Sequence, residues 1–159
     1  MTPKALEWQK KTRKFVNDEL IPWEVHAEMN KGELPEEIET KHRKIALSLG
    51  LSGMGISKES GGLGLGMFEQ MIIWEQLGRV TNALSWCFPE VQDWMVDNFT
   101  DYQKDIYLKP LLQGSKRECY AISEKGAASD VEGSIQSTAE KKRGSIQHQW
   151  REVVYYKCQ

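Results

Sequence analysis

The segment Glu118–Asp130 contains the residues of this chain that are best suited to bind a cofactor. Its first part alternates with a period of two, which indicates a β-strand, with Tyr120 and Ile122 on one side and Cys119, Ala121 and Ser123 on the other. Small residues follow at Gly126–Ser129, so backbone N–H groups and a hydroxyl can approach a bulky anion there. A strand that runs into such a turn suits a planar, phosphate-bearing cofactor. The alternative, from the residues alone, is an ordinary hairpin turn with a hydroxyl at its end.

Five helices are predicted before this segment, and they must position it. Their approximate ranges are 4–19, 35–49, 67–79, 82–98 and 100–114. Pro22 is expected to end the first helix, and Pro89 is expected to kink or divide the fourth. Thr100 and Gln103 have the spacing of a capping box at the start of the fifth. The third helix is apolar on most of its circumference, so central burial is expected for it.

A glycine-rich stretch at residues 50–66 separates the second helix from the third. Gly50 fits the position that closes a helix in a left-handed conformation. Gly62, Gly64 and a third glycine do not have the G-x-G-x-x-G spacing, and no βαβ unit surrounds them. A dinucleotide-binding fingerprint is therefore rejected.

Charge and composition argue against several classes of function. The chain has 159 residues and a formal net charge of −2, and its pI is near 6.0. These values do not favour a nucleic acid or an anionic membrane as a partner. No apolar run is long enough to span a bilayer, and no apolar stretch follows the basic N-terminal residues as it would in a secretory signal.

The cysteines and histidines do not form a recognisable metal site. Three scattered cysteines lack metal-ligand spacing and are interpreted as free thiols in a reducing compartment, the cytoplasm: Cys87, Cys119 and Cys158. Three histidines lie far apart and are interpreted as solvated or capping residues: His26, His42 and His148.

The segment Glu118–Asp130 resembles the flavin-binding signature of the acyl-CoA dehydrogenase family, Tyr-x-x-Thr-Glu-Pro-x-Ala-Gly-Ser-Asp. The residues that agree with it are Tyr120, Glu124, Gly126, Ala127, Ser129 and Asp130. Ser123 replaces the threonine and keeps its hydroxyl. Lys125 replaces the proline and Ala128 replaces the glycine, two departures that loosen the turn.

Two further stretches resemble segments of the same family. The loop that includes Gly55, Ile56, Glu59, Gly61, Gly62 and Gly64 is similar to Gly-(Ile/Val)-Pro-Glu-Glu-x-Gly-Gly-x-Gly, a structural element of the family's first domain. The fifth helix is similar to Gly-x-x-x-Gln-Lys-x-x-x-Leu-x-x-(Leu/Ile)-x-x-Gly through Gln103, Lys104, Leu108, Leu111 and Gly114. The resemblance covers roughly residues 4–142.

The resemblance implies a mainly α fold. Residues 1–114 would form an N-terminal orthogonal helical domain, and residues 115–142 would form the first strands of an incomplete β-domain. In the family, the helix that corresponds to residues 82–98 borders the fatty-acyl cavity, so Trp86 and Phe88 become candidates to shorten that cavity. The alternative is that both side chains pack in the core.

The resemblance also implies a function, the α,β-dehydrogenation of an acyl-CoA thioester with FAD as the cofactor. The implied cofactor-binding residues are Tyr120, Ala121, Ile122, Ser123, Gly126, Ala127, Ala128 and Ser129, and Ser129 would also contact the substrate. Electrons would pass to an electron-transfer flavoprotein, and the full-length parent would be a homo-oligomer. The catalytic carboxylate of the family belongs to a C-terminal helical domain, so no catalytic residue or metal ligand is assigned here, and this chain is expected to be inactive alone.

The sequence is also compatible with three other functions. An acyl-CoA oxidase and a related flavin monooxygenase share the architecture and differ in the fate of the electrons. A small helical interaction module without a cofactor belongs to another class, and it predicts no flavin absorbance.

Residues 143–159 match nothing that the family has next. One allowed back-translation, read one base later, gives Gly-Asp-Gln-Tyr-Asn-Ile-Asn-Gly-Glu-Lys-Trp-Tyr-Ile-Thr-Asn-Ala. This resembles the family's following motif, Gly-x-x-Tyr-x-(Ile/Leu)-Asn-Gly-x-Lys-x-(Trp/Tyr)-Ile-(Thr/Ser)-Asn. Lys141 and Lys142 can be encoded by a run of adenines, where one extra base would shift the frame. We hypothesise that residues 143–159 are an out-of-frame translation, and the alternative is a divergent terminus.

Overall fold

The computed structural model describes residues 1–118, Glu124 and residues 130–149. The chain divides into two compact units, Met1–Arg117 and Glu118–Gln159. The predicted strand at residues 119–123, the turn at residues 125–129 and the end of the tail at residues 150–159 lie outside the described residues.

The first unit begins with a helical path that runs without a break from Pro3 to Met29. Helix α1 (Pro3–Phe15) is capped by the Thr2 side chain, which accepts a hydrogen bond from the Ala5 N–H. A π-helical turn (Val16–Leu20), a 3₁₀ turn (Ile21–Trp23) and α2 (Glu24–Met29) follow directly. The prediction that Pro22 ends the first helix is therefore wrong. Pro22 lies in the 3₁₀ turn, where the π-helical turn changes to α2, so its missing N–H coincides with a change of helix type and not with the end of the path.

Helix α3 (Glu36–Ser48) matches the predicted second helix closely. Three acidic residues in its first turn complement the helix dipole: Glu36, Glu37 and Glu39. Gly50 follows the helix with φ +76°, the left-handed conformation that was predicted for it. A 3₁₀ turn (Leu51–Gly53) then leads into the glycine-rich stretch.

Helix α4 (Met67–Leu77) packs against α1 through its C-terminal half. Ile73, Gln76 and Leu77 are buried there, and the Gln76 side chain accepts a hydrogen bond from the Arg13 guanidinium at 2.9 Å. The expectation of central burial is wrong for the N-terminal half, where three side chains are at least half exposed: Met67, Phe68 and Met71. Hydropathy identifies an apolar helix face but not the segment that covers it.

The predicted fourth helix is much shorter than expected. Residues 80–92 form turns, and only α5 (Asp93–Asn98) is helical. Asn82 and Ala83 have φ angles of 54° and 55°, which a right-handed helix cannot accommodate. The apolar residues in this segment therefore line a loop rather than a continuous helix face.

The predicted fifth helix is present as three consecutive segments, α6 (Asp101–Gln103), a π-helical turn (Lys104–Leu108) and α7 (Lys109–Leu112). Its capping box is confirmed: the Gln103 N–H donates to Thr100 Oγ1 at 3.3 Å, and the Thr100 N–H donates to Gln103 Oε1 at 2.9 Å. Gly114 ends the segment with φ +69°.

Two apolar clusters form the core of the first unit. The larger contains Phe15, Val16, Leu20, Ala46, Leu51, Met54, Leu65, Ile73, Leu77 and Phe88. The smaller contains Ile56, Val91, Leu108 and Leu111. The glycine-rich stretch supplies members to both clusters, so it joins the two halves of the helical unit.

The second unit begins its described part with α8 (Val131–Ser134). A two-stranded antiparallel sheet follows, with β1 (Thr138–Lys142) paired to β2 (Ser145–Gln149) from Thr138 opposite Gln149 to Lys142 opposite Ser145. Every residue of both strands is exposed. The prediction of a mainly α chain with the first strands of a second domain agrees with this element order.

Candidate functional site

Only two residues of the predicted flavin motif, Glu124 and Asp130, are described by the structure. The predicted cofactor-binding residues Tyr120, Ala121, Ile122, Ser123, Gly126, Ala127, Ala128 and Ser129 all lie outside the described residues. The geometry of the motif is therefore established at the two residues that flank its turn.

The Glu124 carboxylate holds the chain that leads into β1. Only 8% of Glu124 is exposed. Its Oε2 accepts a hydrogen bond from the Gln136 N–H at 2.8 Å, and its Oε1 accepts one from the Ser137 N–H at 2.9 Å. Hydrogen bonds from backbone donors to a carboxylate are stronger than those between neutral groups. Glu124 is thus a structural residue of the second unit.

Asp130 caps the short helix that follows the turn. Its Oδ1 accepts a hydrogen bond from the Gly133 N–H at 2.9 Å, and its Oδ2 accepts one from the Ser134 hydroxyl at 2.6 Å. The hydrogen bonds from Ser134 and then from Gly133 hold the pKa of Asp130 below its ordinary value. The carboxylate is therefore ionised near neutral pH, with its charge directed to donors of its own helix.

These contacts bear on whether the motif suits a phosphate-bearing flavin. Both acidic residues of the signature use their carboxylate oxygens on nearby backbone or hydroxyl donors. Their negative charge is thus stabilised locally, by donors that follow the motif in the chain. The hydroxyl and backbone donors predicted to meet a negatively charged cofactor belong to residues 126–129, which lie outside the described residues.

Glu124→Gln is expected to loosen the segment before β1. The amide keeps one acceptor oxygen, so it can satisfy only one of the two N–H donors, and the loss of a charged acceptor costs about 1.5–3 kcal/mol. Amide hydrogen exchange at Gln136 and Ser137 should become faster. Glu140→Gln is the matched control because Glu140 is exposed and its nearest ion-pair partner, Lys142, is 3.9 Å away. Unchanged exchange in the Glu124 variant would contradict the assigned role.

The two aromatic residues proposed to border an acyl cavity have different environments. Phe88 is 9% exposed and packs in the larger core cluster, with its ring centroid 6.3 Å from that of Trp74. Trp86 is 81% exposed. Phe88 therefore packs in the core, as the alternative interpretation predicted. Trp86 is exposed and can contact a ligand or another part of the polypeptide.

His42 corrects the interpretation of the histidines. It is 1% exposed, and no well-formed hydrogen bond reaches either ring nitrogen within the described residues, although the Glu19 backbone lies close enough to raise the pKa of the ring. Burial lowers the pKa of His42, and the nearby Glu19 carboxylate only partly opposes that effect. The sequence held a signal for this burial, because His42 shares a helix face with Ile38, Ile45 and Ala46.

The buried His42 predicts a loss of stability on mild acidification. Its pKa is lower in the folded state, so the unfolded chain binds the proton more readily. The free energy of unfolding should therefore decrease as the pH falls below about 6.5, the ordinary histidine value. Urea unfolding at several pH values between 7 and 5 checks this. His42→Leu should flatten the dependence, and His26→Gln, at an exposed position, should leave it unchanged.

The described residues contain neither a metal-ligand cluster nor a membrane-spanning helix. Within residues 1–118, 124 and 130–149, no group of three His, Cys, Asp or Glu side chains is placed to hold a metal ion. No helix in the described part of the chain has the length and apolar character needed to cross a membrane.

Residues 2–115 match the sequence model of the family described as acyl-CoA dehydrogenase, N-terminal domain. A 3-(aryl)acrylate reductase of Clostridium sporogenes is 32% identical over 136 residues, covering 82% of this chain and 34% of that protein. The caffeyl-CoA reductase-Etf complex subunit CarC of Acetobacterium woodii is 30% identical over 135 residues, with the same two coverages, 82% and 34%. The chain thus spans about a third of the length of these relatives.

Solved structures have the same arrangement of helices. The acyl-CoA dehydrogenase complexed with FAD from Bacillus anthracis superimposes with a TM-score of 0.67 at 25% identity, covering 87% of this chain and 24% of that one. The expected fold, an N-terminal helical domain followed by the start of a β-domain, is confirmed by these matches.

Proposed function

This chain belongs to the acyl-CoA dehydrogenase family, and from that premise we propose that it is part of a flavin-dependent enzyme that oxidises the Cα–Cβ bond of an acyl-CoA thioester. The observation that carries the proposal is the run from Tyr120 to Asp130, which follows the family's flavin-binding signature. The two described residues of that run, Glu124 and Asp130, are each held by hydrogen bonds from residues that follow the motif.

The residues of the motif would bind and orient FAD. Tyr120, Ile122 and Ser123 would line the isoalloxazine ring, and the small residues from Gly126 to Ser129 would continue that contact, with Ser129 also touching the substrate. Bound FAD would accept at N5 the hydride that leaves Cβ of the substrate. Donors of the flavin and of the protein backbone would polarise the thioester carbonyl and so favour removal of the α-proton.

The proton-abstracting base is proposed to lie in a part of the enzyme that this chain does not contain. No carboxylate is left for that task in the motif, because Glu124 and Asp130 hold their own backbone. We therefore propose that the chain alone does not catalyse the reaction. The exposed apolar half of α4, with Met67, Phe68 and Met71, is consistent with a surface that another segment covers.

An electron-transfer flavoprotein is the proposed redox partner. One relative carries such a partner in its name, the caffeyl-CoA reductase-Etf complex subunit. The cytoplasm is the proposed compartment, and a homo-oligomer is the proposed state of the whole enzyme.

The reverse reaction, reduction of an α,β-unsaturated acyl thioester, is the second candidate. Two relatives are named as reductases, one of 3-(aryl)acrylate and one of caffeyl-CoA. Both directions use the same hydride position and the same flavin motif, so the sequence of the motif does not separate them.

The experiment is to express the longer reading frame that continues residues 1–142 and to assay its protein with saturated and unsaturated acyl-CoA esters. Reduction of an artificial electron acceptor by a saturated ester supports the dehydrogenase, and oxygen consumption instead supports the oxidase or monooxygenase. Oxidation of a reduced electron donor by an unsaturated ester alone supports the reductase. A stable protein without flavin absorbance would overturn the proposal in favour of a helical interaction module.

A further inference from the structure

We draw no further inference here: the strongest candidate, the exposed apolar half of α4 with Met67, Phe68 and Met71, belongs to neither core cluster, and nothing in the structure shows what covers it.

Discussion

Removal of one adenine from the codons of Lys141 and Lys142 is expected to convert a colourless product into a yellow flavoprotein. The shifted frame would replace residues 143–159 with a segment that resembles the family's next motif, including its tryptophan and threonine beside the flavin. FAD content should rise from nearly none to about one per chain, since a cofactor site completed by its second strand binds a group that half a site does not.

The comparison needs two matched genes and the native nucleotide sequence. One gene carries the single-base deletion and continues into the downstream frame, and the other carries synonymous lysine codons that keep the present frame. Flavin absorbance per protein is the measurement. The hypothesis fails if genomic DNA after codon 142 contains no such alternate frame, or if both products have the same flavin content. Binding of FAD by the present frame alone would also refute it.

The tail that we hypothesise to be translated out of frame begins with residues that form an ordered hairpin. Ser145–Gln149 pairs in register with Thr138–Lys142, although every side chain of the pair is exposed. Such a hairpin buries little apolar surface, and two isolated strands are only marginally stable in water. Pairing of this kind follows from local turn geometry, here Gly144 with φ +79°, and it does not require a sequence selected for a β-domain.

Local chemistry explains which elements the sequence predicts well. The capping box at Thr100 and Gln103 depends on side chains three residues apart, and Gly50 depends on its own backbone conformation. Each of these signals is complete within one turn of chain. The helices whose ends these residues mark were therefore predicted with nearly the observed limits.

Features that depend on distant partners were predicted poorly. The apolar residues of 82–92 suggested a helix, but Asn82 and Ala83 adopt left-handed conformations in a loop beside α3. The exposed half of α4 and the buried His42 have the same origin, since each depends on which neighbouring segment covers it. In the candidate site, the motif identified Glu124 and Asp130 as part of the flavin segment. The hydrogen-bond partners of their carboxylates could be identified only from the structure.

Gly62→Ala is expected to destabilise the helical unit more than any other single methyl group added to the glycine-rich stretch. A Cβ at Gly62 would lie 2.5 Å from the Ile56 Cβ, 2.6 Å from the Gly53 carbonyl oxygen and closer still to the Ile56 carbonyl oxygen. The neighbours include two backbone atoms, so a side-chain rotation does not relieve the contact.

The loop is also unable to shift as a whole. The Gly53 oxygen accepts a hydrogen bond from the Leu63 N–H at 2.9 Å, and the Ile56 oxygen accepts one from the Gly64 N–H at 2.8 Å. Ile56 is buried in the smaller core cluster, while Leu65, just after the loop, is buried in the larger one. A movement that makes room for the methyl group must therefore break these hydrogen bonds or separate the two clusters. Overpacking of this kind costs about 3 kcal/mol or more.

Urea unfolding followed by tryptophan fluorescence, at submicromolar concentration, measures the effect. Gly66→Ala is the matched control, because its Cβ would meet only Glu69 Oε2 at 3.0 Å, the end of a flexible side chain, and its φ of −68° suits alanine. The control should change the free energy of unfolding by less than about 1 kcal/mol. A Gly62 variant as stable as the Gly66 variant would show that the loop backbone can move to make room for the methyl group. It would also show that this backbone does not hold the two core clusters together.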